Sequence, residues 1–142
     1  MTMDNPTFSG NLFDLTGKVA VISGAAQGLG KAASLAVAQA GANVVLVDRN
    51  ISGLEATADL IRKMGRKALV SVTNVSDPDA IAELFKQVDV EFGRVDFLGN
   101  IAGDGHLAKP EELTIADLHA VLQNLVVGRF AMCQQAGLRM LA

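Results

Sequence analysis

The chain has 142 residues, half of them hydrophobic, and a formal net charge of −3. That length allows one domain or part of one, and that hydrophobic share is enough to build a core. The slightly acidic balance and scattered basic residues give no electrostatic reason to expect nucleic acid or an anionic membrane as a partner.

Residues 1–16 read as an N-terminal arm, and residues 17–142 as one domain. The first residues are polar, contain Asp4 and lack a basic region followed by an apolar run, so they do not read as a secretory signal. No apolar stretch reaches the length of a membrane span. Gln39, Asn43 and Asp48 interrupt the first candidate, and Gln123, Asn124 and Arg129 the second. The single cysteine, Cys133, excludes an intrachain disulfide and suits a reducing compartment, so a cytoplasmic location is expected.

From Lys18 onward, apolar runs alternate with helical patterns. Lys18–Ser23 reads as a first strand. An Ala-rich helix follows over Gly30–Ala40, with Gly41 as its C-terminal stop. Asn43–Asp48 reads as a second strand. Ser52 with Glu55 forms a capping-box pattern for a helix over Ser52–Met64, which Gly65 ends. Lys67–Val72 is a third strand. Asp77 caps the next helix, with Pro78 at its first position, and that helix runs to about Phe92 before Gly93. Val95–Leu98 is a fourth strand. After a loop through Pro110, Thr114 with Asp117 starts one last helix. The strands are continuous apolar runs, the pattern of a sheet covered on both faces. Strands joined by helical crossovers give a parallel α/β sheet with right-handed connections. The expected order is 3-2-1-4, a doubly wound fold incomplete on its C-terminal side.

Chemistry concentrates between the first strand and the first helix, in Ser23-Gly24-Ala25-Ala26-Gln27-Gly28-Leu29-Gly30. A strand turning sharply into a helix presents free N–H groups suited to a pyrophosphate, and a side chain at such a glycine blocks backbone approach or forces strain. Asp48, at the end of the second strand, can accept both ribose hydroxyls of an adenosine and would repel a 2′-phosphate. Arg49 follows and would soften that discrimination if it reached the 2′ position.

The Gly24-x-x-x-Gly28-x-Gly30 spacing resembles the short-chain dehydrogenase/reductase family, with Ser23 where threonine is usual. The resemblance runs from Leu12 to the C-terminus. It implies a Rossmann-type domain in which Ser23, Gly24, Gln27, Gly28, Leu29, Gly30 and Asp48 hold NAD in preference to NADP. It extends to Asn74-Val75, where the family has Asp-Val near the adenine amino group; a turn-forming role for Asn74 is the alternative. It continues in Asn100-Ile101-Ala102-Gly103, where Asn100, Ala102 and Gly103 carry over, Asn100 as a tie between adjacent strands, and Ile101 reads as packing. Asn124, in Asn124-Leu125-Val126-Val127-Gly128, matches an asparagine that the family associates with a backbone-to-water link in proton relay. The opening Phe13–Ala20 is also typical of sugar- and polyol-acting members. His106 and His119 read as solvent-facing polar residues, and no metal-ligand cluster or nucleophile–base pair stands out.

The family's proton transfer is implied to need a serine, a tyrosine and a lysine in the second half of the fold. This chain has no tyrosine, no serine after Ser76 and no lysine after Lys109. The expectation is a truncated cofactor half, inactive alone, whose complete enzyme interconverts a small-molecule alcohol and ketone. The edge of the fourth strand and the apolar positions Val121, Leu122 and Val126 of the last helix would then favour homo-oligomerisation or other association. Two other readings stand beside this one: a non-catalytic nucleotide-binding module acting with a partner, and a Rossmann-like methyltransferase, which the glycine spacing, Asn100 and Asn124 disfavour.

Overall fold

A computed structural model describes residues 12–142; most of the expected N-terminal arm lies outside them. The elements in chain order are β1 (Val19–Ser23), α1 (Gly28–Gln39), β2 (Asn43–Asp48), α2 (Ile51–Lys63), β3 (Ala68–Val72), α3 (Pro78–Glu91), β4 (Phe97–Asn100), α4 (Ile115–Leu122), a π-helical turn (Gln123–Gly128) and α5 (Arg129–Met140). The four strands form one parallel sheet in the order β3-β2-β1-β4, the order expected of a doubly wound fold.

Period-two alternation divides the buried strand residues between two layers. Val19, Val21, Val45 and Val47 pack with Ile81, Leu84, Phe85 and Val88 of α3 and with Met132 and Ala136 of α5. Ala20, Ile22, Val44 and Leu46 pack on the other face with Ala38 of α1 and Leu54, Ala58 and Ile61 of α2. Both faces of β1 and β2 are therefore covered, which is why these strands are apolar at every interior position. No helix among the described residues is long and apolar enough to cross a membrane.

Three local expectations are corrected. The Ser52–Glu55 capping box does not form. Asn50 is the cap of α2, its Oδ1 accepting from the Gly53 N–H at 3.1 Å, and the Ser52 hydroxyl donates to the same oxygen at 2.9 Å. Packing selects this start: a Cβ at Gly53 would lie 2.8 Å from the Ala26 Cβ, so α2 begins pressed on the β1–α1 turn. The fourth strand lies two residues later than Val95–Leu98. Its ladder with β1 runs from Ala20 opposite Phe97 to Ser23 opposite Asn100, while Val95 is buried ahead of it. The last helix is not uniform, because the π turn separates α4 from α5. Gly128 sits at the end of that turn, where any Cβ would overlap the Val75 carbonyl. Widening the helix by a π turn lets it press on the loop after β3.

Other caps agree with expectation. Asp77 accepts from the N–H groups of Asp79 and Ala80, with Pro78 next to it. Thr114 and Asp117 form a reciprocal capping box at α4. β3 and β4 are the two edges of the sheet, and Phe97 of β4 is half exposed. Leu122 and Val126 are exposed as expected, whereas Val121 is half-buried.

Candidate nucleotide-binding cleft

A cleft of about 310 Å³ opens at the carboxyl ends of the strands, where open parallel sheets bind ligands. The β1–α1 turn forms its floor. Gly24 has a φ of +74°, and a Cβ there would lie 3.0 Å from the Ala102 nitrogen. Gly28 has a φ of +53° and nothing within 4 Å of a Cβ position. At Gly30 a Cβ would overlap the Gly24 carbonyl. The three glycines thus serve different ends: close approach of two loops, a left-handed turn facing open space, and helix-to-turn packing.

The start of α1 differs from the other helix starts. Asn50, Asp77 and Thr114 cap α2, α3 and α4 with side-chain oxygens, whereas Gln27 makes no such bond and the first turn of α1 holds no acidic residue. The positive end of the helix dipole and its first N–H groups therefore face the cleft without a side-chain cap or an acid of their own first turn.

Asp48 stands across the opening, half-buried. Its Oδ1 accepts from the N–H groups of Arg49 at 2.7 Å and Asn50 at 3.1 Å, and its Oδ2 from Ala26 at 3.3 Å. These bonds fix the carboxylate at the lip of the cleft. Arg49 reaches away from it, with Nη2 at 2.8 Å from Asp104 Oδ2.

Of the residues singled out in the sequence, Gly24, Gln27, Gly28, Leu29, Gly30, Asp48, Asn74, Val75, Ala102, Gly103 and Asn124 line this one cleft. Ser23 and Asn100 do not. Ser23 is buried, its hydroxyl donating to the Gly99 carbonyl and accepting from the N–H groups of Ile101 and Ala102. Ser23 thereby performs the strand-to-strand tie expected of Asn100. The Asn100 amide instead donates to the Arg129 carbonyl and the Cys133 sulfur, joining β4 to α5. Ile101 packs against the core as expected and also borders the cleft.

Asn74 accepts from the Ser76 N–H at 3.1 Å, a turn made by its own side chain, while remaining on the cleft wall. Asn124 lies in the π turn. Its Oδ1 accepts from the Asp104 N–H at 2.8 Å, and its Nδ2 donates to the Ser76 hydroxyl at 2.7 Å. One side chain so joins the loops that follow β3 and β4. His106 and His119 are exposed, His106 beside a second, adjoining cleft. Thr73 and Asp104 also line the main cleft and were not singled out. Asp104 sits in a loop of no regular pattern and is found through its ion pair with a residue far away in sequence.

A family model described as short chain dehydrogenase matches residues 18–142. The chain is 40% identical over 129 residues to a D-threitol dehydrogenase of Mycolicibacterium smegmatis, covering 91% of this chain and 50% of that one. Among solved structures, it superposes on an NAD+-bound xylitol dehydrogenase with a TM-score of 0.84 and 31% identity, covering 89% of this chain and 49% of the other. An L-sorbose reductase of Gluconobacter frateurii, complexed with NADPH and L-sorbose, superposes with a TM-score of 0.86 and 29% identity over 90% and 49% of the two chains. The chain belongs to the short-chain dehydrogenase family, and this sets aside the methyltransferase reading. It spans about half the length of these relatives. Family members bind nicotinamide cofactors of either kind, as those two structures illustrate.

Proposed function

We propose that this chain is the dinucleotide-binding portion of an NAD-preferring oxidoreductase that interconverts an alcohol and a ketone. The observation that carries the reading is the pairing, in one cleft, of an uncapped helix start beside Gly28 with the Asp48 carboxylate. The N–H groups at the start of α1 would hold the pyrophosphate, and Gly28 leaves room for it. Asp48 would accept the ribose hydroxyls. The backbone at Ala102 and Gly103 would pass beside the dinucleotide, and Asn74, on the cleft wall, would stand near the adenine. When bound, the nicotinamide supplies or accepts the hydride.

Asn124 is assigned as a positioning residue. Both ends of its amide are engaged, so its link to proton relay would run through the backbone, where the π turn departs from the regular helical ladder. The chain contains no tyrosine, so the proton donor that the family resemblance implies would come from outside these residues. Binding, rather than turnover, is therefore the property to measure. A D-threitol-acting relative makes polyols the first substrates to try with a complete enzyme. Self-association in a reducing, cytoplasmic setting would use the β4 edge and the exposed Val126 and Phe130.

Calorimetry on the chain with NAD and NADP tests the reading. NAD should bind more tightly. Asp48→Ala should weaken NAD about ten- to hundredfold, the ~1.5–3 kcal/mol of hydrogen bonds to a charged group, and narrow its advantage over NADP. Equal affinity of the unaltered chain for the two forms overturns the assignment of Asp48 to the ribose.

A further inference from the structure

Arg49 is the one side chain of fixed positive charge lining either cleft among the described residues. It follows Asp48 directly, so its Cα lies beside the carboxylate assigned to the ribose. A guanidinium there is a ready partner for a phosphate, since its fork of N–H donors matches phosphate oxygens. Left free, Arg49 would offset the repulsion that Asp48 exerts on a 2′-phosphate. It is not free. Asp104, in the loop after β4, holds the Arg49 Nη2 at 2.8 Å. The Asp104 backbone is fixed in turn, its N–H donating to Asn124 at 2.8 Å. The acceptor for Arg49 thus belongs to the loop after β4, which lines the same cleft as Asp48.

We propose that Asp104 is a specificity-determining residue: by pairing with Arg49 it keeps that guanidinium from the 2′ position and so sharpens the preference for NAD that Asp48 sets. This inference rests on the dinucleotide reading above and extends it to a residue outside the glycine motif. Two acids then act on one discrimination, Asp48 by direct repulsion of the 2′-phosphate and Asp104 by occupying the nearest cation. Both partners of the ion pair are largely exposed, with side-chain accessibilities of 69% and 74%. Such pairs are weak and screened by salt, so the effect is a modest adjustment of a ratio.

The test is a set of NAD and NADP affinities for the 142-residue chain and for Asp104→Asn, Arg49→Gln, the double variant and Asp48→Ala, each at low and high salt. Asp104→Asn should raise NADP affinity relative to NAD by about two- to fivefold, the range of an exposed ion pair. The gain should shrink at high salt and vanish when Arg49→Gln is also present, a non-additivity that a merely structural role for Asp104 would not produce. An unchanged ratio in Asp104→Asn, or a change that persists without Arg49, overturns the inference. If Asp48→Ala shifts the ratio while Asp104→Asn does not, the cofactor reading survives and only this inference falls. If the unaltered chain binds neither form, both fall together.

Discussion

Asp48 and Asp96 stand at opposite ends of the sheet and both accept backbone N–H groups, yet their surroundings differ in charge. Asp96, just before β4, accepts from the Val19 N–H at 2.9 Å and is flanked by Lys18 at 3.3 Å and Arg94 at 2.5 Å. Its acceptor capacity is spent on the protein. Burial pushes the Asp96 carboxyl up, but hydrogen bonds from Arg94, Val19 and Lys18 together outweigh that and hold it below the usual carboxylate range. Asp48 has three N–H partners and no ion pair among the described residues, and the nearest cation is held by Asp104. The amino end of the sheet is electrostatically closed. The carboxyl end keeps an acid, an uncapped helix start and an open glycine turn. The contrast separates residues that hold the strands from residues available to a ligand.

The largest expected effect that would break this contrast lies at the carboxyl end itself. Gly30→Ala drives a Cβ into the Gly24 carbonyl, and overpacking against backbone costs about 1–3 kcal/mol or more. Urea unfolding should show that loss together with loss of dinucleotide binding. Gly65→Ala, with a positive φ but open space, is the control, and equal destabilisation by the two would remove the packing account of Gly30.

Asp96→Asn comes next. It should cost about 1–3 kcal/mol of stability while leaving dinucleotide affinity unchanged. The pH dependence has a definite sign. The folded carboxyl titrates below its unfolded value of about 3.9, so its contribution is complete above that pH and is lost as pH falls through the lower folded value. Unfolding measured from neutral to acid pH should show the gap between the native chain and the variant close only in that acid window. A gap that persists at the acid end, or reduced NAD binding, would show that the amino end is not purely structural.

Gly28→Ala should have the smallest effect on stability, about 1 kcal/mol from its left-handed backbone, because the added methyl meets nothing. Its effect on dinucleotide affinity should exceed its effect on stability, since the same methyl enters the space assigned to the pyrophosphate. Calorimetry beside urea unfolding reads both, and a variant that binds NAD as well as the native chain would move the pyrophosphate elsewhere.

Local patterns carried much of the molecule. The apolar runs of β1 and β2 specified a sheet covered on both faces. Strand-to-helix alternation specified parallel strands, the doubly wound pattern gave their order, and the caps at Asp77 and Thr114 lay within four residues of the groups they bind. The glycine spacing marked the cleft because each glycine answers a backbone demand made within a single turn. What the sequence hid depends on contacts across the chain. Ser23 became a strand tie because β4 pairs beside it, seventy-eight residues from Ile101. Asn50, rather than Ser52, caps α2 because Gly53 must clear Ala26. The π turn exists where Gly128 meets Val75, an encounter no periodicity announces. Arg49 and Asp104, fifty-five residues apart, meet only because parallel crossovers bring the ends of β2 and β4 to one lip. Sequence alone determined the layers and the glycine turn, since these follow from short-range periodicity and backbone sterics, and it carried the motifs whose resemblance pointed to the family. Tertiary structure decided which polar side chains face the cleft and which are consumed in holding its walls, because a side chain's partners are set by what the fold brings within about 3 Å of it.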